Sequence, residues 1–147
     1  MRKFMLAVLL VALAVIGFGA PRVGIGTQFT FPAVFGISVR GFATDQFGLE
    51  GVVFLFSEGG DTVGALSARG LWSVVRGEGG GFYLAGGATL PLPADQPIFH
   101  VVAGIELALP FAKSIWFNTE FGFFGGALLD LGMAFGMGVH YYFPLGG

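Results

Sequence analysis

Six charged residues lie at alternate positions inside strand-like segments, where ion pairing or proton transfer could take place. They are two arginines and four acids: Arg40, Arg69, Glu50, Glu106, Glu120 and Asp130. Two histidines, His100 and His140, have the same parity as these charges. Carboxylates beside arginines make strong charge-assisted hydrogen bonds, and imidazoles exchange protons near neutral pH. We therefore predict that these eight side chains form one polar network.

Catalysis and metal binding fit this set poorly. A Ser-His-acid hydrolase needs its nucleophile beside the base, and no serine lies near either histidine in the sequence. His100 and His140 are expected near opposite ends of their segments, which argues against a shared metal site. With no cysteine there is also no thiolate ligand. We predict no catalytic residue, no metal and no cofactor, and keep a membrane-embedded lipid-modifying hydrolase as an alternative.

Turn-forming clusters divide the chain after residue 22 into segments of similar length. Seven such clusters imply eight strands. The clusters lie at residues 32–33, 44–46, 58–61, 76–80, 93–97, 110–113 and 125–126.

Each segment has one face of bulky apolar residues and one face of Gly, Ala, Ser and the six charges. An eight-stranded barrel is only just wide enough inside for side chains, so the bulky face must point outward. This pattern predicts an all-β fold, an eight-stranded antiparallel up-and-down transmembrane β-barrel whose outer face contacts membrane lipids. Strand three is the exception, because both of its faces are bulky; a bulge near Val52 would change the parity of Phe54 and Phe56.

The first residues predict export. Met1-Arg2-Lys3 precedes an uncharged apolar stretch over residues 4–18, as in a signal peptide. We therefore assign residues 1–19 to a cleaved signal peptide and residues 20–147 to the barrel. The barrel has five basic and nine acidic residues, and this acidic balance argues against nucleic acid as a partner.

The last strand carries a motif. Gly138 is followed, after two free positions, by Tyr141 and Phe143 in an aromatic-x-aromatic arrangement. In this respect, and in its strand pattern, the chain resembles the small eight-stranded outer-membrane β-barrels, such as the transmembrane domain of outer membrane protein A and outer membrane protein X. The resemblance implies a bacterial outer-membrane location and recognition of Gly138, Tyr141 and Phe143 as an assembly signal by the outer-membrane assembly machinery. Four residues, 144–147, follow the motif, whereas the family usually ends on the aromatic.

Four acids against two arginines leave two carboxylates uncompensated, so the histidines and trapped water are expected to complete the network. The turns on the predicted cell surface are short, which favours a structural envelope role with a side-chain-filled lumen. Two alternatives remain open: a narrow pore for water or small ions, and a soluble exported lipocalin-like barrel that binds an apolar ligand. The sequence does not indicate an oligomeric state.

Overall fold

The computed structural model describes residues 22–31, 34–58, 61–92, 96–126 and 129–144. These residues form a closed barrel in which each strand pairs antiparallel with the next and β8 closes onto β1. The predicted all-β, eight-stranded, up-and-down architecture is therefore confirmed. The strands are β1 (Arg22–Phe31), β2 (Val34–Phe42), β3 (Phe47–Glu58), β4 (Asp61–Arg76), β5 (Gly80–Leu92), β6 (Ile98–Leu109), β7 (Ala112–Gly126) and β8 (Leu129–Pro144).

The predicted signal peptide, residues 1–19, lies outside the described residues. Within the described part of the chain there is no helix of the length and apolarity that crossing a membrane requires. We call the end of the barrel at which β1 begins the proximal end, and the end with the β1–β2 turn the distal end.

The two faces of the strands follow the predicted alternation. In β8 every odd-numbered residue from Leu131 to Phe143 is exposed, and every even-numbered residue from Ala134 to Tyr142 is buried. The exposed set across the barrel is large and apolar, including Phe99 at 59% and Val101 at 66% exposure. The fully buried large side chains are instead polar, headed by Arg40 and His140. The barrel therefore has an apolar exterior and a mixed interior in which the largest fully buried side chains are polar, unlike a protein whose strands bury an apolar core.

The strand ends lie close to the predicted turns, with one difference; residues 32–33, 59–60 and 93–95 of those turns lie outside the described residues. Thr44 shapes the β2–β3 turn, since its Oγ1 accepts hydrogen bonds from the backbone N–H groups of Gln46 and Phe47. Residues 125–126, predicted as a turn, instead belong to β7, which has a register shift between Phe124 and Gly126. Glycines fit a bulge as well as a turn, and this ambiguity caused the error.

Strand β3 has no bulge near Val52. Its residues pair without a register shift, Gly48 to Phe54 with β2 and Phe47 to Glu58 with β4. Val52 and Phe54 consequently point inward, at 3% and 5% exposure. The alternation of β3 therefore continues unbroken through Val52 and Phe54, and their bulk takes up space in the distal half of the lumen.

Two inward tyrosines fit the narrow lumen because each lies over a glycine on the neighbouring strand. Tyr83 pairs with Gly104, where an added Cβ would overlap the Tyr83 Cζ atom. Tyr142 pairs with Gly24, where an added Cβ would lie 2.8 Å from the ring. On the outer face the space is different, since a Cβ on Gly86 would meet nothing nearer than 3.8 Å.

This contrast predicts opposite effects for one substitution at two glycines. Gly104→Ala should destabilise the barrel by about 1–3 kcal/mol, because the Tyr83 ring must shift. Gly86→Ala should be neutral or stabilising by up to about 1 kcal/mol. Urea unfolding of the two variants in lipid vesicles measures both effects, and equal destabilisation would contradict the inward placement of Tyr83.

Candidate functional site: the charge network of the lumen

Three charged residues form a row across consecutive strands. Arg40 on β2 is the register partner of Glu50 on β3, which is in turn the partner of Arg69 on β4. Opposite charges directly across neighbouring strands stabilise a sheet. Glu50 Oε2 accepts hydrogen bonds from Arg40 Nη2 at 3.0 Å and from Arg69 Nε at 2.6 Å. The row is thus an alternating plus-minus-plus set built by strand register alone.

Glu120 on β7 connects this row to the other side of the lumen. Arg69 binds it in a bidentate pair, with Nη1–Oε2 at 2.6 Å and Nη2–Oε1 at 2.7 Å. Tyr83 and Asn118 donate to Glu120 Oε1, and Gln28 donates to Oε2. Bidentate arginine–carboxylate pairs are the strong class of charge-assisted hydrogen bonds. Five strands therefore meet at one carboxylate: β1, β4, β5 and β7 through these donors, and β2 through an Arg40–Glu120 contact at 3.9 Å.

Glu106 on β6 is the second acceptor across the lumen. Arg40 Nη1 and Arg76 Nη2 each lie 3.2 Å from one of its oxygens, and Arg22 Nη2 lies 3.9 Å from Oε1. The Arg22 guanidinium stacks over the Tyr142 ring at 4.3 Å, and that of Arg76 over the Phe42 ring at 4.2 Å. Cation–π contact adds to the ion pairs, so the proximal part of the lumen is filled by stacked arginine and aromatic side chains.

The two predicted histidines have different surroundings. His140 is buried, with Nε2 2.9 Å from Ser38 Oγ and 3.3 Å from Glu50 Oε1. His100 is half-buried in the distal half, and its ring makes no hydrogen bond with the residues that the structure describes. The structure thus brings His140 into the network and leaves His100 outside it.

Asp130 is also outside the network. It is the second residue of β8 and is exposed, because this end of the strand lies at the distal rim. The remaining five predicted charges meet in the lumen: Arg40, Arg69, Glu50, Glu106 and Glu120 are at most 6% exposed.

The expected excess of acid is wrong. Within the described lumen, three glutamates face four arginines, because Arg22 and Arg76, which the predicted network did not include, also lie beside Glu106. Arg22 lies on the same alternating face of β1 as Gly24 and Gln28, which point inward. This alternation could have predicted its position from the sequence. Arg76 points inward because of a register shift between Ser73 and Val75. No sequence pattern predicted that bulge.

The residues of the predicted assembly signal lie on both faces of β8. Tyr141 and Phe143 are exposed on the outside, with their rings edge-to-face at a centroid distance of 4.8 Å. Gly138 faces inward and is buried, and an added Cβ there would overlap Gln28 Oε1. The aromatic pair is therefore available to a partner or to lipid, and the glycine makes room for Gln28.

The main role that this arrangement can perform is structural. Each glutamate is held by at least one arginine within 3.2 Å, and charges so paired avoid the several kcal/mol that burial of an isolated ion costs. Proton transfer or nucleophilic attack would need a group with a free side facing a substrate. In the described network these carboxylates are occupied by donors from the protein itself.

No family model matches the sequence, and no curated protein matches it. The fold is similar to a solved structure, the crystal structure of the N-terminal β-barrel domain of Pseudomonas aeruginosa OprF, with a TM-score of 0.64. The sequence identity is 16%, and the match covers 83% of this chain and 96% of that chain. The chain therefore has the fold of a small closed eight-stranded β-barrel similar to the OprF domain, which confirms the predicted resemblance at the level of fold.

Proposed function

We propose that this protein is an integral barrel of the bacterial outer membrane with a structural role in the envelope and a lumen closed by side chains. The observation that carries the proposal is the placement of the side chains. Phe, Leu, Val and Met are exposed on the outer face of the barrel, and paired Arg and Glu lie in its lumen. An apolar outer surface around a polar interior is suited to lipid. The lipocalin-like alternative needs the apolar face inside, and the strands have it outside.

A closed lumen is favoured over a pore by the ion pairs that cross it. The Arg69–Glu120 pair joins β4 to β7, and the Arg40–Glu106 bond joins β2 to β6. A conducting path would have to pass between these partners, which are held at 2.6 Å and 3.2 Å. Breaking a buried pair is costly, so the closed state is expected to dominate.

Two measurements test this proposal. Fractionation should place the protein in the outer membrane, and an unheated gel lane should show a migration different from that of the boiled sample, as a stable barrel does. In planar bilayers the purified protein should give no steady channels. Recovery from the periplasm without detergent would contradict the membrane role. Steady channels that Arg69→Ala or Glu120→Ala abolishes would instead favour the pore.

We also propose that the assembly machinery recognises the exposed Tyr141–Phe143 pair at the proximal end of β8. Phe143→Ala should reduce the amount of heat-modifiable barrel in the outer membrane several-fold, while purified protein should refold into vesicles as fast as the unmodified chain. Phe135→Ala changes an outward phenylalanine that lies earlier in the same strand; it is the matched control and should retain normal assembly. Equal loss for both variants would mean that Phe143 acts only through stability.

A further inference from the structure

The distal half of the lumen contains a cavity of about 220 Å³. Arg69, Glu120 and Gln28, which belong to the charge network, line the cavity, and it extends from them toward the distal rim. We call this cavity the distal cup. It lies on the opposite side of the network from the stacked arginine and aromatic side chains of the proximal end.

Most of the wall of the distal cup is apolar. It is formed by side chains from five strands that the barrel turns inward: Val52, Phe54, Ala65, Val102, Phe124 and Ala134. Such a wall offers dispersion contacts and burial of apolar surface to a ligand.

One edge of the distal cup can make hydrogen bonds. Ser67 on β4 and Thr89 on β5 are register partners, and the Thr89 hydroxyl donates to Ser67 Oγ at 3.0 Å. The Ser67 hydroxyl hydrogen is then free to donate in turn. His100 on β6 lines the same edge, and no side chain in the described ranges bonds to its ring. Three adjacent strands therefore present convergent polar groups beside an apolar wall.

The charges at the base of the cup limit the kind of ligand. Arg69 and Glu120 neutralise each other through two bonds of 2.6 and 2.7 Å. An anionic or cationic ligand would have to break this pair to find a counter-charge, whereas an uncharged ligand would leave it intact. The volume of the distal cup sets a second limit on the ligand, since a cavity of about 150 Å³ holds benzene.

We propose that the distal cup binds small uncharged amphiphiles of about ten non-hydrogen atoms: compounds with a compact apolar body and one hydroxyl, such as a substituted phenol. The body packs against Val102 and Phe124, and the hydroxyl bonds to the edge formed by Ser67, Thr89 and His100. This ligand site goes beyond the structural role proposed above.

The test uses ¹⁹F NMR with the refolded barrel in lipid bicelles. The probes are 4-(trifluoromethyl)phenol, its uncharged analogue without the hydroxyl, (trifluoromethyl)benzene, and the anion 4-(trifluoromethyl)benzoate. Protein-free bicelles measure partitioning into lipid. The phenol should bind saturably above that background, and the benzoate should not.

Two valine variants form a matched pair on β6. Val102→Phe fills the distal cup from inside and should abolish saturable binding of the phenol. Val101→Phe adds the same volume on the outer face, where Val101 is 66% exposed, and should leave binding unchanged. Heat-modified migration shows whether each variant is folded, and Ala134→Leu on β8 is a second filling variant if Val102→Phe does not fold.

A variant of His100 tests the polar edge. His100→Phe should weaken the phenol about five-fold, as expected for one hydrogen bond, and should not weaken (trifluoromethyl)benzene. Three results would overturn the proposal: no saturable binding above the bicelle background, equal loss in Val101→Phe and Val102→Phe, or tighter binding of the benzoate than of the phenol.

Discussion

Replacing Arg69 with methionine is expected to lower the free energy of unfolding of the barrel by about 3–5 kcal/mol. Arg69 supplies both bonds of the pair with Glu120 and one bond to Glu50, and its side chain is 5% exposed. Methionine has a similar length but no charge, so two buried carboxylates lose their nearest cation. Urea unfolding in lipid vesicles, followed by tryptophan fluorescence, measures the change.

Arg76→Met is the matched control for this loss. The Arg76 side chain is 17% exposed. It makes one bond of 3.2 Å to Glu106, which keeps its bond to Arg40, and one exposed bond of 3.3 Å to the backbone carbonyl of Asp45. Its removal should cost only about 1 kcal/mol. The double variant Arg69→Met with Glu120→Met should recover part of the loss, since removing both partners leaves no unpaired charge between them. Equal effects of Arg69→Met and Arg76→Met would contradict the central role of Arg69.

Phe121→Arg should destabilise the inserted barrel by about 2–4 kcal/mol, the cost of a cation on the lipid face near the middle of the bilayer. Phe121 points outward from the middle part of β7 and is 54% exposed. Its neighbour Glu120 points into the lumen. The substitution therefore tests the outer face of β7 and not the strand as a whole.

Phe111→Arg makes the same chemical change at the β6–β7 turn, where Phe111 is 87% exposed. A position near the interface should cost only about 0–1 kcal/mol. Unfolding titrations of both variants in vesicles give the difference. A cost at position 111 equal to that at position 121 would contradict the placement of the outer face of β7 in lipid.

The faces of the strands were predictable because the alternation has a period of two and only one arrangement fits an eight-stranded interior. Arg40, Glu50 and Arg69 were predicted inside on that basis, and the structure places them there. Depth along the strand was harder to predict. Asp130 is on the inward-facing side of the β8 alternation but lies at the rim. The alternation indicates which face a residue is on, and it does not indicate how far the strand extends beyond the lumen.

Bulges account for the other differences. Arg76 faces inward because of the register shift near Ser73, and residues 125–126 continue β7 instead of turning. A bulge changes the parity of everything beyond it. The sequence also could not predict which charges pair, because Arg69 and Glu120 are 51 residues apart and meet only through the curvature of the closed sheet.

The row formed by Arg40, Glu50 and Arg69 has a consequence for the order of assembly. These pairs are local, between neighbouring strands, and can form in an open sheet, whereas the bonds to Glu106 and Glu120 require β2 and β4 to face β6 and β7. Until β8 joins β1, the inward charges remain hydrated, and the last step exchanges that water for several bonds at once. Reopening the seam must break those bonds together, so the barrel is expected to unfold slowly and to persist through its kinetics as much as through its equilibrium stability.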